Sequence, residues 1–248
     1  MRRDPFKGHR FPRDVILVAV RWYCRFPLSY QDVCDLLAER GVVVDRTTVF
    51  RWVQKFGPEI AKRAYNHRSW RDLNWHVDET YVRVGGKWRY LWRAVDQNGQ
   101  FIDFRLTARR DAKSAKAFLK QAIEGVRLCR PVSICTPLVT LLRNALQSAD
   151  KAPGYRKVIQ ELNHRYDPHF DSILHIDRKR RNNRIESDDA ALKRLLGTRQ
   201  SFRSLRTAKA TLMAIETIRT IKNGHIENKQ PAIRGEIDFV RNLFGVAV

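Results

Sequence analysis

Apolar residues recur at helical spacing through the first quarter of the chain and change to strand-like alternation near Trp75. Residues 14–24 form a mostly apolar helical stretch that Phe26-Pro27 closes. Ser29 stands three residues before Asp32, the spacing of a capping box, and opens a helix with Val33, Leu36 and Leu37 at helical spacing. Gly41 is the expected stop of that helix. Asp45 then caps a third helix with Val49, Trp52, Val53 and Phe56 turned inward, and Gly57-Pro58 reads as its end.

Trp75–Val84 is rich in β-formers and runs into Gly85-Gly86, a two-residue hairpin signal. Lys87–Asp96 returns as a second strand, Asn98-Gly99 marks another turn, and Phe101–Leu106 gives a third strand. Asp111 caps a helix with Ala115, Phe118, Leu119, Ala122 and Ile123 on one face, and Val132–Thr136 reads as a fourth, buried strand. Three antiparallel strands, a crossover helix and a further strand begin a ribonuclease-H-like α/β fold, a mixed sheet flanked by helices. In that layout an acid in the first strand and one at the end of the fourth lie side by side, where divalent metals bind. Ile185–Leu196 has helical spacing with Gly197 as its stop. The stretch 202–223 carries apolar residues at 202, 205, 208, 212, 215, 218 and 221. It is expected to pack on the α/β core, with a dimer contact as the second reading, and 225–248 reads as a weakly patterned tail.

Charge adds a partner to this outline. Lys and Arg number 48 against 26 Asp and Glu, a formal charge of +22. Self-repulsion on that scale opposes compaction unless a polyanion offsets it, so long-chain nucleic acid is favoured over an anionic membrane surface. No apolar run approaches the roughly 18–20 residues of a membrane span, and the N-terminus lacks an apolar signal-peptide core. Cys24, Cys34, Cys129 and Cys135 show no CxxC and no nearby His pair at zinc spacing, which points to buried thiols and a reducing cytoplasm.

Two short helices joined by a Gly-containing turn match a helix-turn-helix over about 29–56. Its second helix would present Arg46, Thr47, Thr48 and Arg51 to base edges and Lys55 to a phosphate. The plainer reading is a small helical bundle with solvated arginines. Asp78 lies inside a strand of β-branched and aromatic residues, where an unpaired carboxylate is costly. Either a neighbouring arginine or a metal ion would compensate it. Glu79 points to the opposite face of a regular strand, so the two acids are not expected to share one ion. Glu186 and Lys193 are two helical turns apart and share a face, able to meet a metal and a phosphate together, or simply to be solvated.

The motifs Trp75-His76-Val77-Asp78-Glu79-Thr80-Tyr81, Asp150-Lys151-Ala152-Pro153-Gly154-Tyr155 and Asn182-Asn183-Arg184-Ile185-Glu186, followed by Lys193, occur in order along the chain. Together with Arg21-Trp22-Tyr23 and Thr47–Val53, they make it resemble a bacterial insertion-sequence transposase of the DDE type, in the IS six and IS twenty-six group. The resemblance spans roughly residues 5–225. It implies that Asp78, Asp150 and Glu186 are catalytic and hold two Mg²⁺ ions, with Mn²⁺ able to substitute, and that Lys193 contacts the DNA of the element end. It also implies a DNA-binding region over 1–70, a catalytic domain over 71–224 and a tail over 225–248. The partners would be double-stranded DNA and further copies of the chain in a homodimer or higher multimer, at the nucleoid in the cytoplasm. In-line transesterification needs hard oxygen ligands for the ions and no covalent protein nucleophile.

Two features depart from the family pattern. Residues 137–149 intervene between the fourth strand and Asp150, either as a short helix that displaces the acid or as a loop that returns it. Asp189 stands where relatives tend to carry histidine. The leading function is DNA transposition at terminal inverted repeats. A catalytically impaired relative that only binds DNA is the alternative, and a nuclease without strand transfer is the third.

Overall fold

The computed structural model describes residues 4–69, 72–126, 130–136, 155–165, 172–177, 183–197, 201–227 and 229–246. The chain groups into two compact units, residues 1–69 with 194–248 and residues 70–193.

The first unit is helical. Helix α1 (Arg13–Arg25) is followed by α2 (Tyr30–Ala38), which opens on the expected capping box: Ser29 Oγ accepts from the Asp32 amide and the Asp32 carboxylate accepts from the Ser29 amide. Helix α3 (Arg46–Ala64) is capped by Asp45 and runs straight through Gly57-Pro58, correcting the expected stop. A residue before proline is normally driven out of the helical region by a clash between its Cβ and the proline ring, and Gly57 has no Cβ to clash. The buried stripe Val49, Trp52, Val53, Phe56 therefore continues to Ile60 and Ala64.

Helix α7 (Leu205–Lys222) packs along α3 and α1, where the sequence led us to expect the α/β core. Its Ala208, Leu212 and Ile215 are buried, and Gln54 of α3 donates to the Thr211 hydroxyl at 2.8 Å. Gly57 sits so close to Ala214 that a Cβ there would lie 2.5 Å from the alanine's own. The stretch read as a tail contains α8 (Ala232–Asn242), fastened to α1 by a buried Glu236 that accepts from Arg21 at 2.9 Å and pairs with Arg25 at 3.1 Å. The arginine of the Arg21-Trp22-Tyr23 motif is thus a buried structural cation.

The second unit is built on a sheet of β1 (Asn74–Val84), β2 (Lys87–Asp96), β3 (Phe101–Thr107), β4 (Ser133–Thr136) and β5 (Leu174–Asp177), in the spatial order β3-β2-β1-β4-β5. The first three are antiparallel and β1, β4 and β5 are parallel. Gly85 and Gly86 both take positive φ in the β1–β2 turn, as a two-residue hairpin with right-handed strand twist demands. Helix α4 (Ala112–Gly125), capped by Asp111 on the Ser114 amide, makes the crossover to β4, and α5 (Tyr155–Arg165) precedes β5. Both helices cover one face, closing a core of Trp75, Val77, Trp92, Phe118, Leu119, Ile134 and Ile159 among others. This order and pairing is the ribonuclease-H-like arrangement expected from the strand pattern. Helix α6 (Asn183–Leu196) follows. The segment 137–149, Asp150 and Cys129 lie outside the described residues, while Cys24, Cys34 and Cys135 are buried free thiols. Among the described residues no helix is long and apolar enough to cross a membrane.

Candidate active site

Alternation along β1 turns Trp75 and Val77 toward α4 and α5 and Asp78 to the other face. Glu79 returns to the helix-covered face, where its carboxylate pairs with Arg110 and accepts from the Tyr155 hydroxyl at 2.8 Å. The two adjacent acids therefore have separate surroundings. Burial and the neighbouring Glu79 hold the Tyr155 hydroxyl protonated, well above the usual phenol range.

Asp78 accepts from the Glu79 amide at 2.8 Å, and among the described residues no cation pairs with it. Partial burial, then the negative charges of Glu79, Asp189 and Glu186, push its carboxyl up to about 8. The arginine that would satisfy it structurally is present in the register: Arg93 of β2 is its direct cross-strand partner. The guanidinium, fully buried, instead donates to both Asp188 and Asp189 of α6. Sequence reasoning missed Arg93, since nothing local distinguishes it from its strand neighbour Arg89, and its partners lie on a distant helix.

In α6, Ile185, Asp189, Leu192 and Leu196 are buried, at spacings of one inward helical face. Asp189 thus occupies an inward position with Arg93 as its counterion. Glu186 and Lys193 share the exposed face, as their separation predicts. Glu186 is near enough to Asp78 to raise its pKa, while burial raises that of Asp189 against the opposing charges of Arg93 and Lys193. Among the described residues no group of three His, Cys, Asp or Glu side chains converges on one point, and Asp150 is outside them. The donor set fits a hard cation all the same. Asp78 offers carboxylate oxygens whose charge is made costly by burial and by like charges, and a cation would relieve both.

In the helical unit, α2 and α3 are joined by residues 39–45, and Arg46, Arg51 and Lys55 are exposed on α3. Lys55 Nζ lies 2.7 Å from His9 Nε2. The hydroxyls of Thr47 and Thr48 both donate to the Asp45 carboxylate, which also accepts from their amides.

A family model described as a DDE domain matches residues 72–225. The transposase for the insertion sequence-like element IS431mec of Staphylococcus aureus is 37% identical over 220 residues, covering 86% of each chain. The transposase for insertion sequence element IS257 in transposon Tn4003, also of Staphylococcus aureus, matches at the same identity and coverage. Among solved structures, the HTLV-2 integrase catalytic core domain in complex with magnesium aligns with a TM-score of 0.39 and 20% identity, over 60% of this chain and 88% of that one. With that family domain over most of its length and transposases aligned across both helical and α/β parts, the chain belongs to the DDE transposases of insertion sequences, enzymes that cut and join DNA strands.

Proposed function

We propose that Asp78, Asp150 and Glu186 together hold the divalent ions of this transposase, two Mg²⁺ that Mn²⁺ can replace. The observation that supports this best is Asp78, a carboxyl raised to about 8 whose cross-strand arginine is committed to another helix. When bound, the ions supply activation of the attacking water or 3′-hydroxyl and stabilisation of the leaving oxygen in an in-line displacement. The protein's own part is positioning. The ladder of β1 fixes Asp78, the Arg93 bridge fixes α6 and with it Glu186, and Lys193 offers a cation to a phosphate of the element end.

The helical unit binds the terminal inverted repeats, with Arg46, Thr47, Thr48 and Arg51 toward base edges and Lys55 toward a phosphate. In this reading residues 1–70 are the end-binding region, supported by the C-terminal helices, and 71–224 the catalytic region. Two DNA ends are paired by a homodimer or higher multimer, at the nucleoid in the cytoplasm.

The test is Mg²⁺-dependent cutting and joining of a duplex carrying the element's own end. Asp78→Asn, Asp150→Asn and Glu186→Gln chains are each expected to bind that duplex as the unmodified chain does and to lose both steps. An Asp150→Asn chain that still cuts and joins removes Asp150 from the site. A chain lacking residues 137–149, run alongside, shows whether that segment hinders the reaction.

A further inference from the structure

A cavity of about 430 Å³ opens in the helical unit where α2, α3 and α7 begin. Its walls are aromatic, formed by Tyr30, Phe50 and Phe202. Tyr30 stacks on Tyr23 with ring centroids 4.2 Å apart and planes 4° from parallel, and Phe50 meets Tyr30 edge-on at 5.6 Å. Burial, reinforced by Tyr23, keeps the Tyr30 hydroxyl protonated far above the usual range. The lining thus combines flat apolar surfaces with hydroxyls. At the mouth stand Arg46 and Arg203, both exposed, and among the described residues neither is paired with an acid.

These features select one ligand chemistry. Flat aromatic walls suit a planar ring, hydroxyls suit the hydrogen-bonding edge of that ring, and guanidiniums at the mouth suit phosphate. A nucleobase carrying phosphates has all three, and the volume is within the ~300–1,000 Å³ of small-molecule sites. Arg46 is also the first residue of the helix read as DNA-facing, so a base can arrive as part of the duplex.

We infer that this cavity takes one unpaired nucleotide, swung out of the element-end duplex, with Arg203 on its phosphate and Arg46 beside the neighbouring base edges. The inference rests on the reading of α2 and α3 as end-binding elements and deepens it. The hydroxyls of Thr47 and Thr48 give their protons to Asp45 and keep only lone pairs for a base edge, so enclosing a base adds selectivity at the start of α3. Arg203 lies outside α2 and α3, so groove reading alone gives it no sequence-specific role.

The test uses the full chain and end duplexes carrying 2-aminopurine at each position in turn. At one position, binding should change the emission several-fold as the base leaves the stack. Arg203→Ala should abolish that change and weaken end binding about tenfold, because its phosphate contact forms only once the base has left the stack, with under about twofold effect on unrelated duplex. Arg206→Ala, exposed on α7 and outside the cavity lining, should weaken both alike. The inference is overturned if the end is bound selectively and no position responds, or if Arg203→Ala affects both duplexes equally. Saturable binding of dATP alone, with no responding position, would assign the cavity to a free nucleotide and overturn DNA as the source. If the unmodified chain does not prefer its end to unrelated duplex, the reading of α2 and α3 fails, and the inference with it.

Discussion

Arg93 faces Asp78 across the β1–β2 ladder but gives its guanidinium to Asp188 and Asp189 of α6. Strand β1 and the helix bearing Glu186 are thereby tied through one buried cation, and among the described residues no cation pairs with Asp78. Arg93→Ala would leave Asp189 buried beside Asp188 without a counterion, and loss of one partner of a buried pair costs about 3–5 kcal/mol. Arg93→Lys keeps the charge, yet a single ammonium does not span two carboxylates as the planar fork does. We expect the lysine chain to fold, to bind element ends normally, and to cut them more slowly with a higher Mg²⁺ requirement. Denaturant unfolding and a Mg²⁺ titration of cutting check both. A lysine chain with unaltered rate and Mg²⁺ dependence would show that the bridge has no part in placing Glu186.

Asp78→Asn is expected to stabilise the metal-free chain, because the amide removes a partly buried carboxyl from beside Glu79, Asp189 and Glu186. Saturating Mg²⁺ should do the reverse, raising the melting temperature of the unmodified chain and leaving the variant unmoved. At one hundred times its dissociation constant a ligand adds about 2.7 kcal/mol, easily seen in a melting curve. A variant that melts lower without metal, or that keeps the whole Mg²⁺ shift, would take Asp78 out of the metal site.

The parts of this fold that could be read from sequence are those fixed by neighbours in the chain. Ser29, Asp45 and Asp111 cap helices within three residues of themselves, and Gly85-Gly86 turns a hairpin whose strands flank it. Gly57-Pro58 misled because a glycine–proline pair usually ends a helix, whereas here the glycine relieves the proline's clash and lets α7 approach. The four residues of β5 are too few to show a period. Glu236 is buried by Arg21 and Arg25 from the far end of the chain, so a local pattern shows only an ordinary helical glutamate. The candidate site divides the same way. Asp78 and Glu186 stand out by strand pattern and motif, while Arg93 is defined only by acids on a helix that folds back to it.

The cap of α3 gives a pH signature. Hydrogen bonds from the Thr47 and Thr48 side chains, then their amides, hold the Asp45 carboxyl well below the usual carboxylate range. A carboxyl depressed in the folded state contributes stability above its unfolded value of about 3.9, and the contribution is lost as pH falls through the folded value. The stability difference between the unmodified chain and Asp45→Ala should therefore be constant above about pH 5 and shrink progressively below pH 4. Denaturant unfolding from pH 2 to 7 checks this, and a difference that stays constant to pH 2 would mean the cap works without its charge.

Gly57 and Ala214 offer a test by sign. In an exposed helix, Gly→Ala stabilises by about 1 kcal/mol through propensity alone. At position 57 the added Cβ would meet that of Ala214 at 2.5 Å, so α7 must move away from α3. Gly57→Ala is expected to destabilise by about 1–3 kcal/mol, the usual cost of overpacking. Ala214→Gly alone should cost about 1 kcal/mol in helix propensity. The double variant relieves the contact with Ala214 but keeps the added Cβ against the Pro58 ring, so it should regain only part of the loss, a coupling that a double-mutant cycle on unfolding free energies measures directly. Additive effects, or a stabilised Gly57→Ala chain, would mean that α7 does not rest on α3 at this point.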